Sequence, residues 1–157
     1  MPKITPFLWF EGNAEEAAKL YVSIFPNSKI VGMSRYGDGG PGPKGQVMTV
    51  TFELAGRRFM ALNGGPMYKL TEAFSLLVNV ETQAELDELW NRLLQGGQAQ
   101  QCGWLKDRFG LSWQIVPTVL FELMQDKDPA KSKRVMEAML KMVKFDIRAL
   151  QEAYAGS

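Results

Sequence analysis

The stretch NAEEAAKLYVSIF, Asn13–Phe25, returns 69 residues later as TQAELDELWNRLL, Thr82–Leu94. In each, a residue able to cap a helix (Asn13, Thr82) precedes a glutamate by three positions (Glu16, Glu85). That pattern satisfies free N–H groups of a first helical turn. Ala17, Leu20, Tyr21 and Ile24 recur at helical spacing, as do Leu86, Leu89, Trp90, Leu93 and Leu94. Pro26 ends the first helix and Gly96-Gly97 the second. At the same offset Leu20 falls on Leu89, Tyr21 on Trp90, Ile24 on Leu93 and Phe25 on Leu94.

The flanks repeat as well. Ile4–Phe10 reads as a strand before the first helix and Phe74–Val80 as a strand before the second. After the first helix come a strand over Lys29–Tyr36, a glycine- and proline-rich loop over Gly37–Gly45, and a hairpin. The hairpin pairs Gln46–Leu54 with Arg57–Leu62 around Ala55-Gly56. After the second helix, CGWLKDRFGLSWQIVP (Cys102–Pro117) supplies the matching hairpin. The chain is therefore a duplicated strand–helix–strands unit. Asn63-Gly64-Gly65-Pro66 reads as the linker between copies. The tail is an addition: a short helix over Val119–Gln125, then a cap at Asp128-Pro129. A helical stripe of Met136, Met139, Leu140, Val143, Ile147 and Leu150 follows. The expected organisation is one domain over 1–157, with modules at 4–66 and 67–120 and a helical extension at 121–157.

The whole chain narrows the function. Its 157 residues can bury a real core, and 46% apolar and 22% charged residues are ordinary for a globular protein. A net charge of +1 offers no electrostatic footprint for nucleic acid. No apolar run approaches the roughly 18–20 residues that span a bilayer, and MPKITPFLWF lacks the form of a secretory signal. A single cysteine excludes an internal disulfide and fits a reducing cytoplasm. There is no histidine, which removes the commonest general base and the commonest transition-metal ligand together.

Three separated segments, PFLWFEGNAEEAAKLYVSIFPNSKI, FMALNGGP and CGWLKDRFGLSWQIVP, resemble the PhnB-like branch of the vicinal oxygen chelate superfamily. That branch carries the label 3-demethylubiquinone-9 3-methyltransferase. Its relatives include glyoxalase I, bleomycin-resistance proteins and extradiol dioxygenases. The resemblance implies an α+β fold of two βαβββ modules whose curved sheets form a concave pocket, commonly in homodimers. It also implies a divalent metal held by His, Glu or Gln side chains from the first and last strands of each module. Those positions fall here at about Pro6 and Ser75, at Gln114, and near Met60 or Ala61. Such a set cannot make a carboxylate–imidazole site, so no metal and no cofactor is expected.

The candidate ligand-binding residues are Phe7, Trp9, Ser75, Cys102, Trp104, Trp113 and Gln114. Trp104 and Trp113 face one another across the hairpin if its turn lies near Arg108–Gly110, either as a core pair or as pocket walls. Gln114 is a mid-strand amide that needs partners, and a ligand could be one. Cys102 reads first as a small buried residue and second as a nucleophile, with Lys106 or an arginine as its sole cationic help. Lys106-Asp107 reads as a solvated hairpin tip. Glu15 and Glu16 sit in a first helical turn, where they favour the dipole. The expected function is metal-independent binding of a small, partly apolar molecule by a cytoplasmic homodimer, with no nucleic acid or membrane partner. The alternative is an enzyme acting on a small or quinone-like metabolite. Methyl transfer is disfavoured, because the glycine-rich loop joins antiparallel strands instead of following a parallel strand.

Overall fold

A computed structural model describes residues 2–156. The chain divides into two compact units, one running to Leu70 and the other beginning at Thr71. Tyr68 lies in the first unit, edge-on to Trp9 with ring centroids 4.9 Å apart.

The first unit runs β1 (Phe7–Phe10), α1 (Ala14–Ile24), β2 (Lys29–Arg35), β3 (Val47–Leu54) and β4 (Arg57–Asn63). Its sheet has the order β1-β4-β3-β2, with β1 parallel to β4 and the other pairs antiparallel. Alternation along the strands decides the faces. Leu8 and Phe10 of β1, Val50 and Phe52 of β3, and Phe59 and Ala61 of β4 are buried. So are Ala17, Ala18, Tyr21 and Ile24 of α1, which packs on β3 and β4. Phe52 stacks on Phe59 at 5.6 Å, with Tyr21 6.4 Å from Phe52. Burying each of these large side chains stabilises the unit by about 1.5–3 kcal/mol.

The cap of α1 departs from the expected one. The Asn13 side chain makes no capping hydrogen bond. The Ala14 N–H donates instead to Asn63 Oδ1 at 2.8 Å, from the far end of β4. Asn63 Nδ2 donates to the Val47 carbonyl at 3.0 Å, and the Tyr36 hydroxyl donates to the Asn63 carbonyl at 2.5 Å. Asn63 is thus a buried joint between helix and sheet, and not the first residue of a linker.

The second unit runs β5 (Ser75–Val80), α2 (Gln83–Leu94), β6 (Gln98–Ala99), β7 (Trp104–Lys106), β8 (Ser112–Pro117), α3 (Thr118–Met124), α4 (Pro129–Leu140) and α5 (Ile147–Ala155). The sheet order β5-β8-β7-β6, with β5 parallel to β8, repeats the first. Here the expected cap forms: Thr82 Oγ1 accepts the Glu85 N–H at 3.2 Å, and Glu85 Oε1 accepts the Glu81 N–H at 3.2 Å. Helix α2 packs on β5, β7 and β8 and buries Leu86, Leu89, Trp90 and Leu93.

The apolar stripe of the tail is not one helix. It breaks after Leu140 into a strap, residues 141–146, and α5 then starts from a fresh cap in which Asp146 Oδ1 accepts the Ala149 N–H at 3.0 Å. The strap is fastened from several sides. The Cys102 and Gly103 N–H groups donate to the Met142 and Val143 carbonyls at 2.9 and 2.8 Å. Gln83 donates to the Phe145 carbonyl at 3.0 Å and accepts the Ile147 N–H at 2.8 Å. The break leaves Leu140 and Val143 on the surface and buries Val135, Phe145 and Leu150.

Candidate functional site

The hairpin Cys102–Pro117 decides the site. Its strands pair Trp104 with Gln114, Leu105 with Trp113 and Lys106 with Ser112. Trp104 and Trp113 therefore do not face one another. They lie on opposite faces, because their pairing partners are neighbours in sequence. Trp113, with Leu105 and Ile115, is fully buried, whereas Trp104 and Gln114 share the opposite face and are only half-buried.

Asp107 explains how the turn is held, and it is not solvated. It is 3% exposed. Its Oδ1 accepts the Phe109 and Leu111 N–H groups at 2.8 and 3.1 Å, and its Oδ2 accepts the Trp113 indole N–H at 2.9 Å. Charge-assisted bonds of this kind are the strong ones. Lys106 does point outward, to an ion pair with Glu72. Its ammonium holds the Glu72 carboxyl below the usual carboxylate range.

On the face shared by Trp104 and Gln114 lies a cavity of about 220 Å³. The sheet contributes Leu77, Trp104, Gln114 and Val116, and the loop before β7 contributes Cys102. Above it stand Leu120 and Phe121 of α3, Met139 of α4 and Phe145 of the strap. Helix α3 is placed there because it begins directly after β8, with Pro117 as its cap residue. Phe145 is placed by Gly103, where an added Cβ would lie 2.4 Å from the Phe145 ring. Gln114 Nε2 donates to Ser75 Oγ at 3.0 Å, tying β8 to β5 at the polar end of this surface.

Of the seven sequence candidates, Cys102, Trp104 and Gln114 meet at the cavity, and Ser75 stands behind Gln114. Cys102 adopts φ +58° and its thiol approaches the Met139 carbonyl at 3.7 Å. Trp113 belongs to the core on the other face. Phe7 and Trp9 belong to the first unit, where their alternation sets them opposite buried Leu8 and Phe10. The Trp9 indole N–H donates to the Gly65 carbonyl at 2.9 Å, and its ring lies on Gly64, where a Cβ would come within 2.4 Å. The residues from the helices and strap, Leu120, Phe121, Met139 and Phe145, were not legible as lining. Leu77 and Val116 were also missed, although alternation from Ser75 and Gln114 marks them.

The metal positions also shift. Helices α1 and α2 begin at Ala14 and Gln83, 69 residues apart, but the buried ends of the preceding strands, Phe10 and Val80, are 70 apart. Gly12 is the extra residue. The counterpart of Ser75 is therefore Thr5, and not Pro6. Pairing of Phe7 with Met60 and of Leu77 with Gln114 makes Met60 the counterpart of Gln114. Thr5 and Met60 in the first unit, and Ser75 and Gln114 in the second, are neutral and supply neither the carboxylate nor the imidazole that hard and borderline dications take. Among the described residues no three His, Cys, Asp or Glu side chains come together.

The family profile described as 3-demethylubiquinone-9 3-methyltransferase matches residues 2–116. No curated protein matches the chain. Among solved structures, the PhnB protein of Bacillus cereus is 40% identical with a TM-score of 0.69, over 74% of this chain and 100% of that one. A Pseudomonas aeruginosa protein is 28% identical with a TM-score of 0.62, over 74% and 98%. The fosfomycin resistance protein FosX of Listeria monocytogenes, solved with Mn(II) and sulfate, is 15% identical with a TM-score of 0.52, over 80% and 98%. That last likeness is one of fold.

Proposed function

Because this chain belongs to the 3-demethylubiquinone-9 3-methyltransferase family, with the PhnB-like vicinal oxygen chelate fold, we propose that it binds a small, largely apolar molecule without a metal. The observation that carries this reading is the cavity on the open face of the second sheet. Seven of its nine lining side chains are aliphatic, aromatic or thioether, and Gln114 adds a single amide. Ligand sites are typically of this composition, an apolar wall with few fixed polar groups. One feature counts against the reaction in the family's description, and one against a metal. The glycine-rich segment 37–45 joins the antiparallel strands β2 and β3, so no helix N-terminus follows it to hold a donor cofactor. The donor set at the family's metal positions is neutral.

A thermal-shift screen of small molecules tests the binding, since a ligand raises the melting temperature by mass action. The expected hits lose their shift in Leu77→Trp, a change at an exposed lining residue that sets an indole into the cavity. Hits that shift the variant equally, or stoichiometric Zn, Ni, Fe or Mn in the purified protein, would overturn the reading.

A further inference from the structure

The hydrogen bond between Gln114 and Ser75 carries information about the ligand's polar group. A side-chain amide has one donor end and one acceptor end. Gln114 Nε2 is committed to Ser75 Oγ at 3.0 Å. Among the described residues no group donates to Gln114 Oε1, and Gln114 lines the cavity. With Nε2 held in this way, the polar atom left for a guest is the acceptor Oε1. The other walls add shape: Trp104, Phe121 and Phe145 are aromatic, and Leu77, Val116, Leu120 and Met139 are aliphatic. No ionised side chain lines the cavity, and the nearby Lys106 ammonium is paired with Glu72. A charged guest would meet no counter-charge on these walls. Filled at the density of a protein interior, the volume suits a guest of roughly 160 Å³, about that of a bicyclic aromatic with one substituent.

Resting on the binding reading above, we propose that this site selects an uncharged aromatic molecule carrying one hydrogen-bond donor, a hydroxyl or N–H. Gln114 Oε1 accepts that donor, while Ser75 Oγ holds Nε2.

Three probes of nearly one shape test this by isothermal titration calorimetry on the intact chain: 1-naphthol, 1-methoxynaphthalene and 1-naphthoate. The wild type is expected to bind 1-naphthol roughly five- to tenfold more tightly than 1-methoxynaphthalene, the worth of one neutral hydrogen bond. It should bind 1-naphthoate more weakly than 1-naphthol, because no cationic side chain lines the cavity. In Ser75→Ala the amide is free to turn and offer its NH₂, so the naphthol-to-methoxynaphthalene ratio should fall to within about twofold. Ser75→Thr, which keeps the hydroxyl, should restore it. Gln114→Leu should bind both neutral probes with no preference. A wild-type ratio below two, a ratio that persists in Ser75→Ala, or naphthoate binding equal to naphthol overturns the proposal while leaving the apolar cavity in place. Failure of all three probes to bind overturns the cavity reading itself, and this inference with it.

Discussion

Replacing Asp107 with asparagine is the sharpest test of how the hairpin is built. The substitution changes no volume and removes no side chain. It converts Oδ2, which accepts the Trp113 indole N–H at 2.9 Å, into an NH₂ group. Two donors then face each other around a residue that is 1% exposed, and water cannot intervene. Leaving a buried donor unmatched costs about 1–3 kcal/mol. The other oxygen still accepts the Phe109 and Leu111 N–H groups, but as a neutral acceptor, which costs about 1 kcal/mol more. If the amide flips, Trp113 regains its acceptor and two backbone donors lose theirs. Either orientation predicts a loss of about 2–4 kcal/mol in urea unfolding, read as a lower midpoint at unchanged slope. Lys106→Met is the internal control. Its ion pair with Glu72 is half in water, so its removal should leave the urea midpoint close to that of the wild type. An Asp107→Asn midpoint indistinguishable from wild type would refute the reasoning and return Asp107 to the solvated tip that turn chemistry alone suggests.

Three further outcomes are expected. Gly103→Ala places a Cβ 2.4 Å from the Phe145 ring at a residue with φ +81°, and should lower stability by about 2–5 kcal/mol from overpacking and left-handed strain together. A loss under 1 kcal/mol would mean that Phe145 is not seated there. Asn63→Ala orphans the Ala14 N–H and the Val47 carbonyl, and should cost about 2–4 kcal/mol in the same assay. Asn13→Ala, which removes no capping bond, should cost well under 1 kcal/mol. Finally, the Tyr154 hydroxyl bonds the Asp126 carboxylate, lowering the Asp126 pKa below 3.8 and raising that of Tyr154 above 10.0. The depressed Asp126 contributes stability above pH about 4, lost as pH falls through its folded value. The raised Tyr154 contributes stability below pH about 10, lost as pH rises through its folded value. The melting-temperature gap between wild type and Tyr154→Phe should therefore be widest near pH 7 and narrow at both ends. A constant gap would contradict the link.

The duplicated fold was legible in the sequence because two amphipathic helices with caps sit between strands of strict alternation. What the sequence hid were interactions that cross long separations or turn on one residue. Gly12 moves the first strand by one position against its helix, and a one-residue slip exchanges faces, so Pro6 stood in for Thr5. Nothing local marks Asn63 as the cap of a helix 49 residues earlier. Asp107 looks like any turn aspartate until Trp113 is placed above it. The stripe from Met136 to Leu150 keeps helical spacing through the strap, and only its fastening to Cys102, Gly103 and Gln83 shows where the helix must stop. Four of the nine lining residues come from the chain after β8, which is why Gln114, Trp104 and Cys102 could be named and Phe121, Met139 and Phe145 could not.

The strap also provides a clock. Its fastenings include the amides of Cys102, Gly103 and Ile147, each shielded only while residues 141–146 stay in place. Hydrogen–deuterium exchange at these three amides thus measures how often the chain lifts Phe145 away from the space beneath it. A guest that occupies that space holds the closed state by mass action and slows all three by the same factor. The rate at which the site breathes is written in three backbone protons that never touch the ligand.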